Sequence, residues 1–95
     1  MLTHILYHLR DDRDRYARIF SYESSELFWA SFKVQLAELV SARGFLQSSR
    51  AQGVPRDFFL NWYCSSFAEA VRWWFRTGLE ESPEQLEGFF ERVTG

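Results

Sequence analysis

The chain has 95 residues, enough for one domain in which a compact fold hides roughly two-thirds of the surface the unfolded chain exposes. Its formal net charge of -2 and pI near 5.6 argue against a nucleic-acid surface, because phosphate neutralisation needs a concentrated Lys/Arg face. Aromatic residues make up 19% of the chain and have to be buried somewhere, while the lone cysteine, Cys64, excludes an internal disulfide and makes a reducing cytoplasm the expected location.

Leu2, Ile5, Leu6 and Leu9 recur at helical spacing and predict a first helix ending near Arg10. His4, His8 and Arg10 interrupt its apolar residues, so this segment does not read as a signal peptide. The charged run from Asp11 to Arg15 is expected as a solvated turn or surface, followed by a short second helix carrying Tyr16, Ile19 and Phe20. Ser24 or Ser25 is a suitable N-cap for a third helix whose buried face is Phe28, Phe32, Leu36, Leu39 and Val40. Gly44 followed by Phe45 suits a Schellman stop, and the segment from Gln47 to Gly53, without periodicity, reads as an exposed loop.

Pro55 fits the first turn of a fourth helix and Gly78 its far end. Its most apolar stretch, Phe58 to Phe75, carries Glu69 and Arg72 and falls short of a membrane span, so no membrane partner is expected. The most specific local signal follows: Ser82, Pro83, Glu84 and Gln85 spell a capping box, with Ser82 as cap and Gln85 reaching back to the Ser82 amide. Leu86, Phe89, Phe90 and Val93 then give a short final helix with one apolar face.

On a helical wheel the fourth helix places Asn61, Ser65, Glu69, Arg72 and Arg76 in one narrow polar stripe. The remaining arc, roughly 240° wide, is apolar, whereas a helix that covers only its own core needs little more than about 100°. Such a helix must face two apolar surfaces. One is the domain's own core. The other is expected to be a two-fold dimer in which this helix and the next pair with their copies, burying Trp62, Ser66, Trp73, Leu86, Phe89 and Phe90 in a four-helix interface. Small residues at Cys64, Ser65, Ser66 and Ala68 are expected to let helices approach closely. The competing explanation is that another part of the same polypeptide covers the arc.

The run from Val54-Pro55 through Trp73-Trp74 and Gly78 to Ser82-Pro83-Glu84-Gln85-Leu86 resembles the last two helices of a subgroup of tetracycline-repressor (TetR) family C-terminal domains. The stretch from Leu6 to Phe45 is similar to the same subgroup's pattern of short helices followed by an amphipathic one. The resemblance implies an all-α, five-helix TetR C-terminal-like bundle whose last two helices dimerise and whose earlier helices enclose a pocket for a small hydrophobic effector. It further implies that effector binding controls DNA release by a helix-turn-helix domain missing from this sequence, so that DNA is reached only through that N-terminal domain. Glu69 departs from the subgroup, where the position is more often small and neutral; pairing with Arg72 or Arg76 would keep it at the rim.

Tyr16, Phe28, Phe32, Tyr63 and Phe67 are the candidate pocket residues, set against the plainer reading that they fill the core of a small domain. His4, His8 and Asp12 share a helix edge at a spacing that can offer ligands to zinc, but no further Cys or His completes a set, so a solvated face is expected and no metal. Cys64 reads as a small buried hydrophobe. No nucleophile elbow, phosphate-binding loop or zinc-protease motif occurs, so no catalytic residue and no cofactor are expected. A dimerisation module without a ligand, or a helical subunit that binds another protein through the same arc, are the competing functional readings.

Overall fold

The computed structural model describes residues 2–20, 25–42 and 53–94. Five α-helices follow one another: α1 (Thr3–Asp11), α2 (Arg13–Phe20), α3 (Ser25–Ala42), α4 (Arg56–Arg76) and α5 (Pro83–Thr94). No strand occurs among the described residues, so the fold is all-α. The side-chain cap expected at Ser24 or Ser25, the Gly44–Phe45 stop and residues 47–52 of the expected loop lie outside what is described.

Of the two expectations for the charged run, turn or surface, the structure gives the surface: Asp11 and Arg13 to Arg15 are exposed, and only Asp12 leaves helical geometry, with φ -116° and ψ 35°. Arg13 already belongs to α2, and the Tyr16 amide donates to the Asp12 carbonyl at 3.2 Å. Charge alone does not oppose a helix: Arg is a good helix former, and Asp14 sits in the first turn of α2, where the helix dipole favours it. A second adjustment concerns Pro55, which precedes α4 as its cap residue at φ -60° and ψ 145° and accepts at its carbonyl from the Phe59 amide at 3.1 Å.

The aromatic excess is buried around α4. Phe59, Tyr63, Cys64, Phe67, Ala68, Val71 and Trp74 turn into the core, each buried in turn after turn of the helix. Leu2, Leu6 and Leu9 from α1, Trp29, Leu36 and Val40 from α3, and Leu86 and Phe90 from α5 close over them. Each large side chain so covered contributes on the order of 1.5–3 kcal/mol. The small residues Cys64 and Ala68, expected to ease contact with a second copy, lie instead in this core, where Cys64 sits beside Val34 and Ala37 of α3.

The turn between α4 and α5 is fixed by three local devices. Leu79 donates its amide to the Trp74 carbonyl at 2.9 Å and Gly78 to that of Phe75 at 3.2 Å, the two bonds of a Schellman stop, with Gly78 at φ 97°. Leu79 follows at φ 58°, an uncommon conformation for a leucine, and its side chain packs on the core. The capping box then closes: the Gln85 amide donates to Ser82 Oγ at 3.1 Å, and the Ser82 amide donates to Gln85 Oε1 at 2.8 Å. Trp74 spans the turn, its indole fully buried and donating from Nε1 to the Glu81 carbonyl at 3.0 Å.

Trp74→Ala is expected to cost about 3–5 kcal/mol in denaturant melts at fixed protein concentration; a loss below about 1 kcal/mol would contradict the burial of the ring. Ser82→Ala should cost about 1 kcal/mol in the same assay through the lost cap, with helix content unchanged by circular dichroism.

Candidate functional site

Among the described residues, two concave features hold most of the expected site residues. The first is a cleft of about 340 Å³ between α1, α2 and α3, lined by Ile5, His8, Leu9, Tyr16, Phe28, Ser31, Phe32, Gln35, Leu36 and Leu39. Its aromatic wall exists because Phe28 and Phe32 stand one turn apart on α3 and Tyr16 reaches across from α2. The ring centroids of Tyr16 and Phe28 are 5.9 Å apart, and those of Phe28 and Phe32 are 6.0 Å apart. His8 meets the edge of Tyr16 at 6.3 Å, and Gln35 Nε2 donates to Ser31 Oγ at 3.3 Å.

Of the candidate pocket residues, Tyr16, Phe28 and Phe32 line this cleft; Tyr63 and Phe67 do not. Both lie on the buried face of α4. Tyr63 packs on Phe59 and on Phe90, at centroid distances of 5.8 and 5.2 Å, and Phe67 lies between Phe32 at 6.4 Å and Phe90 at 5.4 Å. They fill the core because α5 folds back against α4 and covers the space a ligand would need. Sequence reasoning passed over Ser31 and Gln35; the signal was present, a hydroxyl and an amide one turn apart beside the Phe28/Phe32 pair. His8 shares a helix edge with His4 and Asp12, and no group of three or more potential metal-holding side chains comes together among the described residues.

The second feature is a groove of about 400 Å³ along α4 and α5, lined by Trp62, Ser66, Glu69, Ala70, Trp73, Leu86, Phe89, Phe90 and Val93. Every residue expected at a subunit interface falls in it. Leu86 and Phe90 form its buried floor, whereas Trp62 is 44% exposed, Trp73 37%, Phe89 49% and Val93 86%. The apolar circumference of α4 is therefore divided: one part of it faces the domain's own core, and the flank bearing Trp62 and Trp73 joins the outer face of α5. Glu69 stands at the rim, bonded to Arg72 at 3.3 Å, and Arg72 also reaches Glu26 of α3 at 3.7 Å and lies 5.2 Å from the centre of the Trp29 ring.

The two features are joined through α1. Its inner side supplies Ile5, His8 and Leu9 to the cleft, and its other side is held to α5 by polar contacts. The Leu2 amide donates to Glu87 Oε1 at 2.6 Å, the Thr3 hydroxyl donates to the same carboxylate, and the Tyr7 hydroxyl donates to Glu84. That last bond draws the Glu84 carboxyl below the usual carboxylate range and raises the Tyr7 phenol. On the other side of α4, burial pushes the Cys64 thiol up to about 11, against a smaller lowering influence from Lys33.

The family model described as transcriptional regulator C-terminal region, of the TetR type, matches residues 1–94. Among curated proteins and among solved structures, nothing matches the chain. No described helix is long and apolar enough to cross a membrane.

With its thiol pushed up to about 11 by burial, Cys64 is held in the weakly nucleophilic thiol form near neutral pH. The native protein should therefore react with an aromatic disulfide reagent far more slowly than the same protein in denaturant, and comparable rates would show that Cys64 is accessible.

Proposed function

Because the chain belongs to the TetR-type family of transcriptional regulator C-terminal regions, we propose that it is the sensory and dimerising part of a cytoplasmic regulator. DNA is contacted through an N-terminal domain, and a small hydrophobic effector in the α1–α2–α3 cleft controls its release. The function is binding and assembly rather than catalysis.

The observation that carries dimerisation is the groove of α4 and α5. Exposed Trp62, Trp73, Phe89 and Val93 surround a buried floor of Leu86 and Phe90, and a continuous patch of large apolar side chains is what soluble monomers avoid leaving wet. A two-fold axis beside the groove sets α4 and α5 against their copies, so that each groove receives the other's aromatics. The tryptophans are the natural anchors of such a contact. Sensing is supported by the cleft and by the position of α1, which shares one side with the cleft and the other with the helix proposed to dimerise. A ligand that shifts α1 bears on Glu84 and Glu87 of α5. The cleft also favours this reading over a dimerisation module without a ligand.

Sedimentation of the whole chain should give a dimer at micromolar concentration, and Trp73→Glu combined with Phe89→Glu should weaken association at least a hundredfold while helix content is retained. A wild-type protein that stays monomeric at those concentrations, with Trp62 and Trp73 accessible to a fluorescence quencher, would refute the dimer.

A further inference from the structure

Resting on the reading of the α1–α2–α3 cleft as a sensor site, we propose that its ligand is a compact, uncharged aromatic molecule with one amide-like hydrogen-bonding group, and that the cleft discriminates against a carboxylate of the same shape.

Charge decides this first. No Asp, Glu, Lys or Arg is among the described residues that line the cleft. A carboxylate entering it would shed water and meet no Lys or Arg, only the His8 imidazole, which costs far more than a neutral group would lose. Cations stand elsewhere: Arg72 and Arg76 flank a separate depression beside Phe20 and Phe75. Shape comes second. Tyr16, Phe28 and Phe32 are tilted against one another, by 55° and 32° for successive pairs, so they offer both faces and edges to a flat ring. A volume of about 340 Å³ lies near the bottom of the range of small-molecule sites, about 300–1,000 Å³, and so suits one or two fused rings.

The polar contacts come third. Gln35 and Ser31 are one turn apart on α3, and Gln35 Nε2 donates to Ser31 Oγ at 3.3 Å on the exposed rim. The Gln35 carbonyl oxygen remains an acceptor, and the Ser31 hydroxyl and the second Gln35 N–H remain able to donate. This pair matches a primary amide, which both donates and accepts. A carboxylate, acceptor only, can use those donors but leaves the Gln35 acceptor without a partner.

The test is isothermal titration of the whole chain at pH 8 with 2-naphthamide and with 2-naphthoate, which share size and ring. We expect the amide to bind at least tenfold more tightly than the acid. Gln35→Ala, at an exposed position, should weaken the amide about fivefold, the worth of one ordinary hydrogen bond, and leave the acid unaffected. Ser31→Trp, which fills the cleft from its rim, should abolish binding with helix content intact by circular dichroism. Naphthoate binding as tightly as naphthamide, and lost in Ser31→Trp, would overturn the assigned ligand class and leave the sensor reading standing. Binding of neither probe, or binding that survives Ser31→Trp, would overturn both; dimerisation is judged separately by sedimentation.

Discussion

Phe67 occupies the point through which the domain's packing runs. It lies near the middle of α4, fully enclosed, with Phe32 of α3 on one side and Phe90 of α5 on the other. From Phe32 the contacts continue through Trp29 at 5.4 Å and on to Phe20 of α2 at 4.7 Å, and from Phe90 they reach Tyr63. Helices α2 to α5 are thus tied by rings in mutual contact, each pair adding an orientation-dependent gain to the burial itself. A small domain without disulfides depends on such dense apolar contact, because its surface-to-volume ratio leaves little else to offset chain entropy.

The same row of rings sets the two concave features apart. Phe28 and Phe32 show one side to the cleft, while Phe90 shows one side to the groove and the other to Phe67. The direction in which α5 returns is what opens the groove, and that direction is held by short-range bonding at the turn: the Schellman pair at Gly78 and Leu79, the Ser82–Gln85 box, and the Trp74 indole on the Glu81 carbonyl. Satisfying the helix-end amides and carbonyls and fixing the angle between α4 and α5 are here one structural event.

Helix α1 differs in kind from the others. Its apolar side, Leu2, Leu6 and Leu9, is buried as firmly as any, yet its lateral hold on α5 is polar and partly exposed, through Glu84 and Glu87. Apolar contact resists separation without fixing position along an axis, whereas hydrogen bonds of defined geometry do fix it.

The residues themselves determined the punctuation and the quantity of apolar surface. Gly78, the capping box at Ser82 and the over-wide apolar arc of α4 act within a few residues of chain, so local physics was enough to recognise them. Periodicity likewise announced five helices, although it left the Asp11–Arg15 charges open between turn and surface, and the structure makes them surface interrupted only at Asp12. Tertiary structure alone decided which apolar neighbour each side chain meets. Tyr63 and Phe67 carry the same aromatic character as Phe28 and Phe32, but α5 covers the first two while the second two border open space. Cys64 and Ala68 likewise face α3 and the core rather than the groove, because a helical wheel orders directions around one axis and holds no information on what stands opposite each of them.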